Sequence, residues 1–276
     1  MSNSVQDKAL PIIAWFSCGA TSAVACKYAL QMYENVRIVY IETHTGHPDN
    51  ERFIKECEEW YGQPIEIRSS NKYKNVEDVL LRTHYINGAT GAACTYHLKK
   101  KVRYELEEEL GEWGGQVWGF EFSKNEINRA IRFQEQNPDN KPLFPLIEKE
   151  LSKPECLSIL QKAGIEIPYM YRLGYHNNNC IGCVKGGMGY WNKIRVDFPD
   201  TFEKMAQIER KVGASCLKDE QGQVFLDELP PDRGADEEPI VPECGLFCDL
   251  EFQNLMDKRV KAVLSGKRSI YLTPKV

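Results

Sequence analysis

Ten cysteines stand in a chain of 276 residues, and their spacing carries more information than their number. Cys180-Ile181-Gly182-Cys183 is a C-x-x-C pair on an Asn- and Gly-rich turn. Two thiolates so spaced reach one metal ion or form a redox couple. Cys94 and His97 form a C-x-x-H pair at the start of a helical stretch. Cys244 and Cys248 lie four apart beyond a polar, acidic segment. These residues together supply five thiols and one imidazole. Tetrahedral zinc needs four such ligands, and a [4Fe-4S] cluster generally takes four thiolates. A C-x-x-C can instead be two packing thiols, but the asparagines at 177–179 and Gly182 describe an exposed turn. Cys26, Cys57, Cys156 and Cys216 fall in or near helices and read as packing thiols.

Cys18 belongs to a second candidate site, Ser17-Cys18-Gly19-Ala20-Thr21-Ser22. This small-residue turn follows an apolar run and opens a helical stretch. Backbone N–H groups there face a common point, and the helix dipole favours an anion. Ser17, Thr21 and Ser22 add hydroxyl donors, and Gly19 permits close approach. No G-x-G-x-x-G and no G-x-x-x-x-G-K-[ST] occurs, which sets aside dinucleotide-binding and P-loop readings.

The elements that must position these residues alternate. Residues 10–16, 36–43, 64–68 and 117–122 read as strands. Residues 22–33, 49–61, 76–82, 96–110, 125–136 and 198–212 read as helices, with a last one at 251–264. Ser152-Lys153-Pro154-Glu155 is a capping box for a helix running to about residue 163. Residues 137–145, 164–189 and 219–241 read as loop or irregular chain. Alternating strands and helices predict an α/β fold with a doubly wound parallel sheet. We expect a nucleotide-binding α/β domain at 1–150, and a mostly helical, cysteine-bearing portion at 151–276 packed on it. Ligands of such sheets sit beyond the carboxyl ends of the strands. The ends at Ser17, Thr43 and Phe120 are therefore expected to converge on one cleft, with Arg129 supplying charge.

Composition narrows the class. Apolar residues make up 42% and charged residues 27%, ordinary globular usage. The net charge of −5 disfavours a general nucleic-acid-coating protein and leaves a local basic patch open. No apolar run approaches the ~20 residues of a membrane span, and the polar residues 1–10 do not resemble a signal peptide. A soluble, cytoplasmic protein is expected.

Taken in order, these motifs resemble the sulfonucleotide (PAPS/APS) reductase branch of the adenine nucleotide alpha-hydrolase-like, or PP-loop, superfamily. The resemblance runs from about Ile12 to Cys248. Residues 17–22 are similar to the PP-loop that holds phosphate or sulfate. Thr43, Thr45 and Gly46 are similar to the segment bordering the adenosine. Gly119, Phe120 and Glu121, with Glu126, Arg129 and Arg132 downstream, resemble the segment closing the nucleotide site. Residues 168–183 resemble the stretch through the family's C-x-x-C, and Glu243-Cys244-Gly245-Leu246 resembles the start of a terminal motif whose cysteine attacks sulfur. Three departures mark a divergent branch, of the kind phages encode. Ala93-Cys94 stands where cluster-bearing relatives have Cys-Cys, Phe247 replaces the motif's His, and Ala20-Thr21 replaces the Lys and Asp common in ATP pyrophosphatases.

The resemblance implies an adenine nucleotide (PAPS, APS or ATP) as substrate and a reductase-like reaction with Cys244 as nucleophile, if Cys244 is not a metal ligand. It also implies a centre on Cys94, Cys180, Cys183 and either Cys244 or Cys248, [4Fe-4S] in preference to zinc, with His97 as the zinc-favouring substitute. Thioredoxin is the expected reductant, and a homodimer is compatible with it. The alternatives are an ATP-using sulfur transferase or nucleic-acid modifier, and a silent nucleotide- and metal-binding protein.

Overall fold

The computed structural model describes residues 10–236 and 239–243. The chain opens with β1 (Ile12–Phe16), α1 (Ala20–Met32), β2 (Val36–Glu42), α2 (Asn50–Tyr61), β3 (Glu66–Ser69) and α3 (Val76–Thr83). A small hairpin, β4 (Asn87–Gly88) and β5 (Gly91–Ala92), leads into a π-helical turn at Thr95–Lys100 and then α4 (Lys101–Leu110). Next come β6 (Gly115–Val117), α5 (Lys124–Gln136), β7 (Pro142–Leu143) and α6 (Pro145–Glu148). Helices α7 (Lys153–Lys162), α8 (Tyr169–Arg172), α9 (Met188–Asp197) and α10 (Pro199–Val212) follow, and a hairpin of β8 (Leu217–Asp219) and β9 (Gly222–Val224) comes after them.

Five strands form one sheet in the order β3-β2-β1-β6-β7, and every pairing is parallel. This is the expected doubly wound α/β arrangement. All five residues of β1 are buried, as a strand covered on both faces requires. Ile12, Ala14 and Phe16 face the layer of α1, α2 and α7, whereas Ile13 and Trp15 face Leu106 of α4. The alanines of α1 (Ala20, Ala23, Ala25 and Ala29) are all buried and bring that helix close to the sheet. The chain leaves β1 for β2 on one side and later returns to β6 on the other, opening a crevice at the carboxyl end of β1.

Several elements depart from the sequence reading. The strand expected at 117–122 is Gly115–Val117, because Gly119 lies against the backbone of Ser22 and turns the chain off the sheet. Within the expected loop 137–145, β7 adds a fifth strand only two residues long. It tolerates Pro142 because it is an edge. The helix expected at 96–110 begins as the π-helical turn. Helix α9 emerges from the glycine-rich region because Tyr190, Trp191 and Ile194 form a buried face. The capping box at Ser152 is present, with the Ser152 hydroxyl and the Glu155 carboxylate each engaging the other residue's N–H.

Two packing groups interleave along the chain. One joins the sheet, α1 and α2 with Leu151, Leu157 and Leu160 of the α7 region. The other surrounds Trp191 and takes Val79 and Leu80 of α3, Leu98 of the π-helical turn, and parts of α9, α10 and the last hairpin. Among the described residues no helix is long and apolar enough to cross a membrane. The helix expected at 251–264, together with Cys244, Phe247 and Cys248, lies outside the described residues.

Candidate functional site

The loop at residues 17–22 sits at the carboxyl end of β1 and runs into α1. The Ser22 hydroxyl accepts the Ser17 N–H at 3.0 Å, lies 3.0 Å from the Ser17 hydroxyl, and donates to the Gly19 carbonyl at 2.9 Å. Cys18 holds a left-handed φ of 57°, unusual for a residue with a side chain. Its carbonyl accepts a 2.6 Å bond from the Asn178 amide. The Cys18 thiol points inward, bonded to Tyr40, and burial pushes its pKa well up. Cys18 therefore offers an anion its backbone and no thiolate. The Tyr171 hydroxyl accepts the Ala20 N–H at 3.4 Å, which occupies one amide of the helix start.

Gly119 closes the loop from the β6 side, where a Cβ would lie 2.7 Å from the Ser22 backbone. Phe120 follows it, but its ring is buried against Phe133 and Phe144 and serves the core. Arg129 is exposed on α5, paired with Glu126 at 3.2 Å and laid over the Phe120 ring at 4.5 Å. Arg132 is exposed on the same helix.

The C-x-x-C segment is laced onto the ends of β1 and β2. Besides the Asn178 bond to Cys18, the Thr43 hydroxyl and the Cys180 sulfur lie 3.3 Å apart. The Ile181 N–H donates to the Thr45 carbonyl at 2.9 Å. The Thr45 hydroxyl in turn accepts the Val76 N–H at 3.3 Å and donates to the Thr43 carbonyl at 3.1 Å. Gly46 lies beside Asn50, whose amide a Cβ would meet at 2.5 Å. Gly182 turns the segment with a φ of 72°, and the Tyr190 hydroxyl ties it by accepting the Cys183 N–H and donating to the Cys180 carbonyl.

Cys94, Cys180 and Cys183 are electrostatic neighbours. Burial, then repulsion from the other two thiols, pushes Cys94 up to about 11. Burial also raises Cys183, and a hydrogen bond from the Lys185 backbone N–H opposes this. Three thiols match a thiolate-bound metal in chemistry and are one short of the usual four donors. Among the described residues, however, no three His, Cys, Asp or Glu side chains are grouped closely enough to hold a metal ion. The fourth donor expected from Cys244 or Cys248 lies outside those residues. His97 packs between Tyr73 and Tyr96, at ring distances of 4.8 and 5.0 Å.

Four contributors were not singled out from sequence. Asn178, Tyr171 and Lys153 hold the loops, and Lys99 is the cation that acts on Cys18, Cys94 and Cys183. Buried Lys153 donates to the His176 carbonyl and to Asn177 Oδ1, at 3.2 and 2.8 Å. The partners of the Asn178 side chain lie more than a hundred residues away, so no local pattern marks it.

The packing thiols give a direct check. Cys26 and Cys57 are fully buried, and burial drives both thiols well above the ordinary range. Iodoacetamide at pH 8 should leave both unmodified in the folded protein and label both in denaturant, read by peptide mass spectrometry. Labelling of either in the folded state would show that the α1–α2 interface opens.

Residues 11–187 match the phosphoadenosine phosphosulfate reductase domain family. An uncharacterized protein of Methanocaldococcus jannaschii is 20% identical over 215 residues, 76% of this chain and 44% of that protein. The chain thus spans less than half the length of this relative. A crystal structure of phosphoadenylyl-sulfate (PAPS) reductase from Candida auris, a phosphate complex, overlaps with a TM-score of 0.43 at 12% identity. That overlap covers 59% of this chain and 78% of the other. The family match takes in the whole parallel sheet, the loop at 17–22 and both cysteines of the C-x-x-C, so the chain belongs to the PAPS reductase domain family of the PP-loop superfamily.

Proposed function

We propose that the chain binds an adenine nucleotide through residues 17–22 and carries out cysteine-dependent sulfur chemistry on it, as a sulfonucleotide reductase-like enzyme. The lacing of residues 178–181 to the ends of β1 and β2 carries this reading. It puts soft thiols on the sheet edge that also bears the anion loop. There the helix N-terminus and the hydroxyls of Ser17 and Thr21 would hold phosphate or sulfate, the Ser22 hydroxyl being engaged by Ser17 and Gly19, and Thr43, Thr45 and Gly46 would border the adenosine.

In the proposed reaction a cysteine thiolate attacks the sulfonyl sulfur. The S–O bond to the nucleotide phosphate breaks, and adenosine phosphate leaves with the electron pair. An external thiol, thioredoxin by the resemblance, then attacks the enzyme sulfur. Sulfite departs, and the two thiols are left oxidised as a mixed disulfide. Cys244 is our candidate nucleophile. With Cys244 as nucleophile, Cys94, Cys180, Cys183 and Cys248 would hold a [4Fe-4S] cluster, or zinc if His97 joins them; with Cys244 as the fourth ligand instead, the protein would not be a reductase of the usual kind. When bound, such a centre would hold these thiols as thiolates and tie together the segments that carry them.

Calorimetry with PAPS, APS and ATP, followed by assays for sulfite and pyrophosphate, tests the reading. We expect binding of a sulfonucleotide and thiol-dependent sulfite release that Cys244→Ser abolishes. Pyrophosphate from ATP without sulfite would replace the reductase with an ATP-using sulfur transferase. Nucleotide binding without turnover would leave a binding protein.

A further inference from the structure

The chain carries five more acidic than basic residues, yet the run from His97 to Arg103 holds four permanent cations and no acid. Lys99, Lys100 and Lys101 are all exposed, and Tyr96 is 48% exposed beside them. A second segment brings more charge to the same face. The Tyr73 ring packs on His97 at 4.8 Å and carries the Lys72 ammonium at 5.4 Å. Lys72 and Lys101 both lie close enough to the His97 imidazole for their charge to act on it.

None of these four lysines forms an ion pair with another described residue. The nearby acids of α3 are engaged elsewhere, Asp78 with Arg82 and Glu77 with Lys204. Unneutralised lysines gathered on one face repel one another, and a bound polyanion relieves that repulsion. Exposed Lys99 adjoins Lys100 and Lys101 in sequence, and its charge also reaches Cys94 and Cys183.

We infer that the face formed by Lys72, Tyr96, Lys100 and Lys101 binds a single-stranded nucleic acid, with its backbone along the lysines and a base on Tyr96. Single strands fit better than a duplex because an exposed ring offers a stacking platform that paired bases cannot use. The surface is independent of the nucleotide reading above, since it uses none of the residues at 17–22.

Fluorescence anisotropy with a labelled 15-nucleotide RNA and the matching DNA, each single-stranded and of mixed sequence, tests it. Binding should be saturable at 50 mM salt. Affinity should fall with salt at a log–log slope of about −2 to −3, as three to four phosphate contacts on a single strand give. The triple variant Lys72→Glu, Lys100→Glu, Lys101→Glu should bind at least tenfold more weakly with a flatter slope. Tyr96→Ala should lose several-fold at an unchanged slope, and Lys55→Glu on α2 should bind as wild type. Circular dichroism melts confirm that each variant is folded. Absence of binding at 50 mM salt, or equal affinity in the triple variant and Lys55→Glu, overturns the inference. Displacement of the strand by polyglutamate as readily as by polyuridine also overturns it, because the face would then be a dock for acidic protein.

Discussion

Replacing Glu209 by alanine should cost about 2–6 kcal/mol of unfolding free energy, since two buried amides lose their acceptor at about 1–3 kcal/mol each. Glu209 is fully buried on α10. One carboxylate oxygen accepts the Cys216 N–H at 2.6 Å and the other the Leu226 N–H at 2.7 Å. Those bonds fasten the last hairpin to the helices around Trp191, the same packing group against which the C-x-x-C cysteines lie. Burial raises the Glu209 pKa, and the donated amides oppose this. A folded-state pKa above the unfolded one contributes stability below the ordinary carboxylate range and loses it as pH rises through the folded value. The gap between wild type and Glu209→Ala should therefore widen from pH 7.5 to pH 5, measured by urea unfolding. A loss under about 0.5 kcal/mol, the range of ordinary surface changes, would mean that both amides find other acceptors.

Gly119→Val should disable the anion loop. The atoms a Cβ would meet at 2.7 Å are the N and Cα of Ser22, which cannot rotate away as a side chain would. Relief requires moving the start of α1, and this breaks the Ser22 bonds to Ser17 and Gly19. Overpacking of this kind costs about 1–3 kcal/mol in stability. Adenine nucleotide affinity should fall by about tenfold or more, equivalent to about 1.4 kcal/mol. Calorimetry on the folded variant decides it: unchanged affinity would place the nucleotide away from residues 17–22.

The parallel sheet was legible because strands buried on both faces are continuous apolar runs, as at Ile12–Phe16, separated by helices with clear starts. The Ser152 capping box was legible for the same local reason. Features set by distant contacts were not. Strand β7 is two residues long and exists only as an edge beside β6. Helix α9 follows Gly186 and Gly187 and contains Gly189, which locally argue against a helix, and its tertiary burial of Trp191 outweighs them. In the candidate site the loop at 17–22 and the C-x-x-C were visible as motifs. The Cys18 side chain was harder to place, because its inward turn depends on Tyr40 and on a left-handed backbone held by Asn178. The charge on Arg129 was legible, but its seat over Phe120 was not.

The interleaving of the two packing groups bears on how the protein is made. The apolar faces of α3 and the π-helical turn, with Val79, Leu80 and Leu98, pack against residues as late as Leu229. During synthesis they emerge well before their partners. At about 5–20 residues per second, the roughly 130 residues between Leu98 and Leu229 take on the order of 10 s to appear. For much of that time the sheet strands β1–β3 are already out of the ribosome while the α3 face still lacks later members of its packing group, Met205 and Ile208 of α10 among them. Slowing translation between residues 98 and 229 should therefore raise chaperone occupancy on the nascent chain, whereas slowing it after Leu229 should not.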